Sequence, residues 1–429
     1  MQKICVVGLG YIGLPTAAMF ASAGLQVHGV DINTKIVEEI SQGKCPYVEP
    51  GLPELIEEAV RLKKLTVSTT PEKADAFILS VPTPCTKEKQ ADMKYCNEAM
   101  KSIIPYLEEG NLIVLESTVY PGATEDVVIA QLKANGMQDK NIYVAHCPER
   151  VIPGKIVDEL VNNYRVIGGN TNKSAEVAKE LYSSFVKGQM YTTNLRTAEM
   201  VKLMENTFRD VNIALANEMA KICASLGINV WEAISLANEH PRVNLHQPGP
   251  GVGGHCIAVD PYFIIGAAPN LSELITTARK INSSMPGYVV DIVSQKVKKA
   301  GKVAVLGLSY KANVDDTRES PSLEIINLLK KKGYLVTAYD PYVPTSIELE
   351  ECLDHADCVL ITVDHTNFKS LNPEVFSLLV ANKLIIDTKN IIDHDVWEKA
   401  GFEVILLGDA INKDDVNNFF DNKSLAANA

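Results

Sequence analysis

No apolar run in this chain approaches the roughly 20 residues that a membrane-spanning helix needs, so no membrane partner is expected. No basic cluster offsets the net charge of −12, which argues against nucleic acid as a partner. An acidic total is still compatible with a local anion site. None of the nine cysteines forms a Cys-x-x-Cys pair, and the number is odd. That pattern reads as reduced thiols in the cytoplasm rather than a disulfide framework. No His, Cys, Asp and Glu set has zinc-like spacing, so no metal is expected. The N-terminus lacks a cleavage-like segment: its short apolar run enters a glycine turn directly and reads as a first strand, not a signal peptide. What is present is an ordinary globular composition, 46% hydrophobic and 22% charged, over 429 residues. That length is too great for one ordinary core and points to two or three domains.

The opening residues carry the first chemical signal. Ile4 to Val7 is a continuous apolar strand, Gly8, Gly10 and Gly13 follow at once, Leu14 to Ala23 reads as a helix, and Val27 to Asp31 as a second strand ending in an acid. Gly8 allows a tight turn, Gly10 lets backbone approach a pyrophosphate, and Gly13 lets the helix pack closely. The helix N-terminus offers amide donors to the phosphates. A carboxylate at Asp31 would hold ribose hydroxyls and repel a 2′-phosphate, so NAD is favoured over NADP. The alternative is a turn whose glycines are required only sterically.

Further strands are read at Ala76 to Val81, Leu112 to Glu116 and Ile142 to Ala145. In an open parallel sheet, ligands sit beyond the carboxyl ends of strands, where Thr83, Thr118, Glu149 and Arg150 fall. Local turn capping would also explain the threonines, and a solvated loop pair would explain Glu149 beside Arg150. A strand at Tyr164 to Gly168 and a helix at Ser174 to Phe185 complete this part. A long helix from about Thr197 to Leu226 then places Lys202, Asn206 and Arg209 on one face among apolar neighbours. A buried stripe of amine, amide and guanidinium suits an anion or oxyanion; salt bridges to Glu199, Glu205 and Asp210 are the plainer alternative. The helix carries more apolar surface than that face uses, so a homodimer, or a higher homo-oligomer, is expected.

Gly249 to Pro261 holds four glycines and two prolines, so it forms sharp turns rather than a regular element. It sets Cys256 in an accessible loop, with Asp260 following. A thiol there is a candidate nucleophile if positive charge lies near it; the alternative is an inert core cysteine. His240 and Arg242 lead into this loop and could hold phosphate or sugar hydroxyls, although a lone His240 also suits a structural role.

From about residue 296 the opening pattern returns as a weak repeat. Lys302 to Leu306 is a strand entering a turn at Gly307, Ser322 to Lys332 a helix, and Leu335 to Asp340 a strand ending in an acid. The spaced glycines are replaced by Ser309, Tyr310 and Lys311, so a nucleotide fold with a changed ligand is expected. Lys311 and Arg318 bracket Asp315 and Asp316, and this loop could equally be a self-neutralising turn. Strands at Cys358 to Val363 and Leu384 to Asp387 extend the sheet. The tail beyond about Lys413 is polar and reads as frayed.

Taken in order, these motifs resemble the nucleotide-sugar dehydrogenase family that includes UDP-glucose and GDP-mannose dehydrogenases. The resemblance rests on Gly8 to Gly13, Val81 to Pro84, Glu116-Ser-Thr118, the turn at Glu149, Lys202 with Asn206, the Cys256 loop, and Lys311 through Arg318. It implies an α/β chain of two Rossmann-like doubly wound domains joined by a central long-helix dimerisation region: residues 1–195 binding NAD, 196–295 carrying the cysteine loop, and 296–429 binding UDP. UDP-glucose members usually have Ser-Cys-Phe where this loop has His255-Cys256-Ile257, a form similar to the UDP-N-acetylhexosamine branch. Ala258 to Pro261 is most similar to its UDP-N-acetylmannosamine members; UDP-N-acetylglucosamine members more often have proline at position 258.

The resemblance implies a four-electron oxidation of the sugar C6 alcohol to a carboxylate. Cys256 would attack the first-formed aldehyde and carry a thiohemiacetal and then a thioester. Lys202 and Asn206 would stabilise the oxyanions, with Asp260, Glu149 and Thr118 orienting water and moving protons. Arg150, Val151, Lys202, Asn206, Arg209, His240, Arg242, Gly253, Tyr310 and Lys311 would contact the UDP-sugar. Gly8, Gly10, Tyr11, Ile12, Gly13, Asp31, Lys35, Thr83, Thr118 and Arg318 would contact NAD. Two rivals explain less. A two-electron dehydrogenase of the 3-hydroxyacid type needs neither the cysteine nor the second nucleotide fold. A non-catalytic NAD sensor has no need to retain Lys202, Asn206, Cys256 and Asp260 together.

Overall fold

The computed structural model describes residues 1–86, 88–254 and 256–409. His255 and the polar tail after Lys413 lie outside the described residues. The chain forms two compact units, one of Met1–Glu205 with Tyr262–Pro269, the other of Asn206–Pro261 with the chain from Asn270 onward. Among the described residues no helix is long and apolar enough to cross a membrane.

The first unit is built on β1 (Lys3–Val7), β2 (Gln26–Val30), β3 (Leu65–Ser68), β4 (Ala76–Leu79), β5 (Leu112–Leu115), β6 (Tyr143–His146), β7 (Arg165–Gly169) and β8 (Met190–Asn194). They lie in the order β3-β2-β1-β4-β5-β6-β7-β8. The first six follow the doubly wound order of dinucleotide-binding sheets, with the crossover switch between β1 and β4. All pairings are parallel except β6 against β7. That reversal follows the loop and helix Ile156–Asn162 that bring the chain back.

Alternation explains why β1 reads as one apolar run. Ile4 and Val6 enter a core with Leu14, Phe20, Ile78 and Val114, whereas Cys5 and Val7 enter a second core with Phe77, Leu79, Ile113 and Leu115. Both faces are covered by helices, so neither side of the strand has to be polar. β4 and β5 end earlier than the sequence pattern implies, at Leu79 and Leu115. Ser80 and Glu116 lie just past the strand ends, and the Glu116 carboxylate accepts the Thr16 and Tyr182 hydroxyls from two covering helices.

The second unit carries β9 (Lys302–Leu306), β10 (Leu335–Tyr339), β11 (Cys358–Ile361), β12 (Leu384–Asp387) and β13 (Glu403–Leu406), all parallel, in the order β10-β9-β11-β12-β13. Relative to its first strand this is the other common doubly wound order. Asp340 closes the repeat of the opening motif. Its carboxylate accepts the Leu308 and Ser309 amides at 2.6 and 3.0 Å, much as Asp31 accepts the Leu9 amide at 2.9 Å. Asp340 is fully enclosed and also bonded to His365, whereas Asp31 stays partly open. The acid is enclosed by its own turn in the second fold and stays partly open in the first.

The long helix runs Leu195–Leu226 and crosses from one unit to the other. Its second-unit half packs on helix Glu273–Lys296 through buried polar groups. Arg279 donates to Asp210 at 2.5 Å, Asn282 donates to Asp210 at 2.8 Å, and Asn217 donates to Asn282 at 2.9 Å. Asn217 also accepts the Gly249 amide at 2.9 Å, at the entry of the glycine-rich loop.

Candidate active site

The glycine turn after β1 has the close packing and open helix start that a dinucleotide would need. A Cβ on Gly8 would lie 2.3 Å from the Ser80 carbonyl oxygen, and one on Gly13 would lie 1.9 Å from the Gly8 carbonyl oxygen. Gly8 also has φ +94°, where only glycine rests without strain. Gly10 has open space where its Cβ would be, the gap a pyrophosphate would use. The helix Gly13–Ser22 starts at Ile12 with no side-chain cap and no acid in its first turn, leaving its amides for an anion. Tyr11 lies against Tyr47 with ring centroids 4.5 Å apart, and the Tyr47 hydroxyl holds the Leu9 carbonyl at 2.9 Å. Lys35 is exposed at the start of the next helix. These residues fit NAD.

At the strand ends the first unit joins two of the predicted threonine loops. Thr83 donates to the Thr118 carbonyl at 2.6 Å, and Ser117 accepts the Val81 amide at 3.0 Å. The Thr83 hydroxyl therefore bonds across loops rather than capping its own turn. Glu199, on the long helix, accepts the Gly122 and Thr124 amides at 2.5 and 2.8 Å and so anchors the loop that follows Thr118. Glu149 is buried and accepts Arg165 at 2.9 Å, while the Arg150 guanidinium takes Glu205 through two nitrogens. The solvated Glu149–Arg150 pair is not what forms. Val151 is half-buried against the core, and Glu49 accepts the Gly154 and Ile156 amides beyond it.

The acids that might have neutralised the cationic face of the long helix are thus taken up elsewhere: Glu199 by loop amides, Glu205 by Arg150, and Asp210 by Arg279. Lys202 is half-buried, Asn206 buried and Arg209 exposed.

In the second unit Asn206 donates to Asp260 at 2.6 Å, both being buried. The Asp260 and Val259 amides close on the Cys256 carbonyl at 2.8 and 3.1 Å, and the Cys256 side chain is exposed. Asn206, 54 residues away on the long helix, is therefore tied to the turn that holds Cys256 and Asp260. The loop rests on the segment after β9. A Cβ on Gly253 would meet the Glu319 carbonyl oxygen at 2.7 Å, and one on Gly254 would meet the Tyr310 ring at the same distance. Burial, then Asp316 and Cys256, push the Tyr310 phenol up, while Arg318 opposes them. Arg318 also closes on Asp316 with both Nε and Nη2, so the self-neutralising turn forms at that end of the loop. His240, Arg242 and Lys311 are exposed, and the His240 ring accepts the Arg242 amide at 3.3 Å. Among the described residues no His, Cys, Asp and Glu cluster could hold a metal.

The sequence pattern did not single out Arg165, Glu49 or Tyr47, and offered Glu199 only as a salt-bridge partner, whereas it accepts loop amides. Each acts through a partner far along the chain. The one available signal was Glu116, which the motif Glu116-Ser-Thr118 already contained.

A glycine cradle for NAD on one doubly wound sheet, and a cysteine loop seated on a second nucleotide fold, define a dehydrogenase that handles two nucleotides. The UDP-glucose/GDP-mannose dehydrogenase family matches in three parts: its NAD binding domain at residues 2–186, central domain at 196–284 and UDP binding domain at 304–394. The chain belongs to this family and is an NAD-dependent nucleotide-sugar dehydrogenase. It is 53% identical to the UDP-N-acetyl-D-mannosamine dehydrogenase of Methanocaldococcus jannaschii, covering 96% of this chain and 97% of the relative. It is 48% identical to the NDP-N-acetyl-D-galactosaminuronic acid dehydrogenase of Ralstonia nicotianae, covering 90% and 96%. The solved UDP-D-ManNAc dehydrogenase from Pyrococcus horikoshii superposes with a TM-score of 0.89 at 43% identity, covering 95% of this chain and 99% of that one.

Proposed function

We propose that this enzyme oxidises the C6 alcohol of a UDP-N-acetylhexosamine, UDP-N-acetylmannosamine first among them, to the carboxylate. The observation that carries the reading is the buried Asn206–Asp260 bond, with the Asp260 amide closed on Cys256. NAD held at the Gly8–Gly13 turn would supply the hydride acceptor for each of two oxidations at C6. Between them Cys256 adds to the aldehyde, and water finally cleaves the thioester and frees the thiol. One alcohol, two NAD⁺ and one water thereby give one carboxylate, two NADH and three protons. Lys202 and Asn206 stabilise the oxyanions, where loss of one such donor costs about 3 kcal/mol. Asp260, Glu149 and Thr118 orient water and move protons, and the contacts to sugar, UDP and NAD are those the resemblance implies.

The functional division at residues 195 and 295 is supported by β8 ending at Asn194 and by the gap between helix Glu273–Lys296 and β9. A homodimer is supported by Phe208, Leu215, Ile222 and Leu226, which stand exposed on one face of the long helix. The scattered, odd cysteine set supports a cytoplasmic setting.

The test is a comparison of kcat/KM for UDP-N-acetylmannosamine, UDP-N-acetylglucosamine, UDP-N-acetylgalactosamine and UDP-glucose. The mannosamine sugar is expected to lead by at least about tenfold, roughly 1.4 kcal/mol of transition-state discrimination. A lead by UDP-glucose would overturn the substrate assignment.

A further inference from the structure

Beyond β5, β6 and β7 the first unit buries two carboxylates around one guanidinium. Arg165 donates to Glu149 at 2.9 Å, lies 4.8 Å over the Tyr182 ring and 5.6 Å from the Phe185 ring, and reaches the Cys147 sulfur at 3.7 Å. Glu149 uses its other oxygen to accept the Arg150 amide at 2.7 Å. Glu116 accepts the Tyr182 hydroxyl at 3.1 Å and the Thr16 hydroxyl at 3.3 Å, both within the core. The polar groups facing Glu116 are Thr16 from the first helix, Ser80 after β4, Cys147 and Glu149 after β6, Arg165 on β7, and Tyr182. Arg165 is the one cation in that set.

A buried cluster with one positive and two negative charges would carry an uncompensated anion, which a site closed to water strongly disfavours. One of the two carboxyls therefore holds a proton. Glu149 has the guanidinium and a backbone amide, whereas Glu116 has only neutral hydroxyls, those of Thr16, Tyr182 and Ser80.

We propose that Glu116 is a positioning residue for Glu149: it stores the proton of this buried pair, so that Arg165 is left to hold Glu149 as the single carboxylate. This rests on the reading above that Glu149 orients water or moves protons. Burial, and then Glu149, push the Glu116 carboxyl up to about 7, against the pull of Arg165. As pH rises past that point, a second anion enters the cluster and competes for Arg165. Glu116→Gln keeps the neutral shape at every pH and removes the competition.

The experiment measures kcat/KM against pH for the wild type and Glu116→Gln, and takes their ratio, which cancels ionisations common to both. The ratio of variant to wild type is expected to rise by about threefold or more across roughly pH 6 to 8. A flat ratio overturns the proposal. Infrared spectra of the ligand-free proteins supply an arm that does not depend on turnover. A protonated-carboxyl band that titrates near neutrality in the wild type and is missing in Glu116→Gln is expected, and lack of such a band overturns the proposal. The band without turnover of any nucleotide sugar places the proton as proposed and counts against the functional reading. Should Glu116→Gln not fold, Tyr182→Phe removes only a hydroxyl donor to the Glu116 anion. It must move the same inflection to higher pH; an unmoved inflection again overturns the proposal.

Discussion

Replacing Asn217 with leucine cuts a buried polar chain at its middle. Asn217 is fully buried, accepts the Gly249 amide at 2.9 Å and donates to Asn282 at 2.9 Å; Asn282 in turn bonds Asp210, which holds Arg279. Leucine fills similar volume, so the loss is polar rather than a cavity. It leaves the buried Gly249 amide and the Asn282 carbonyl oxygen without these partners. Each such group costs about 1–3 kcal/mol, hence about 2–6 kcal/mol together. For a unit of this size each kcal/mol shifts the melting temperature by roughly 2–4 °C, so a fall of about 10 °C is expected. Gly249 begins the loop that carries Cys256, so the damage should not stop at stability. Thermal unfolding by circular dichroism reads the first effect, and alkylation of Cys256 followed by peptide mass spectrometry reads the second. A melting temperature within about 2 °C of wild type, with an unchanged alkylation rate, would refute the idea that this chain sets the loop.

Two further outcomes follow from single contacts. Gly13→Ala puts a methyl 1.9 Å from the Gly8 carbonyl oxygen, so the turn must open; NAD affinity by calorimetry should fall at least about tenfold, or 1.4 kcal/mol, and an unchanged affinity would remove the cradle from the account. Glu116 gives a pH dependence of stability with a definite sign. Its folded value of about 7 lies above the ordinary 4.5, so between the two the fold retains a proton that the unfolded chain has lost. Stability from this group is therefore full below about 4.5 and is lost as pH rises to about 7, roughly 3 kcal/mol in all. Denaturant titrations of Glu116→Gln should lack that slope; parallel curves for variant and wild type would contradict it.

Much of the fold was legible because short-range rules decide it. The glycines and the acid at Asp31 are tied to one turn, and the same logic identified the repeat that ends at Asp340. The Lys202–Asn206 face could be read because helical period is local. The partners of buried charges could not. Glu149 stands next to Arg150 in sequence but pairs with Arg165, and Arg150 reaches instead to Glu205. Asp210 pairs with Arg279 across a helix contact that no spacing encodes. Strand ends were read slightly long at Val81 and Glu116, since apolar pattern does not show that the strands stop short of Ser80 and Glu116.

The most direct test of the central claim is the number of NADH formed per sugar consumed. Purified enzyme would be given limiting UDP-N-acetylmannosamine and excess NAD, beside the Cys256→Ser variant. Two NADH per sugar from the wild type, with the second lost in the variant, is the predicted result. One NADH per sugar from the wild type, or two from Cys256→Ser, would contradict a thioester on Cys256.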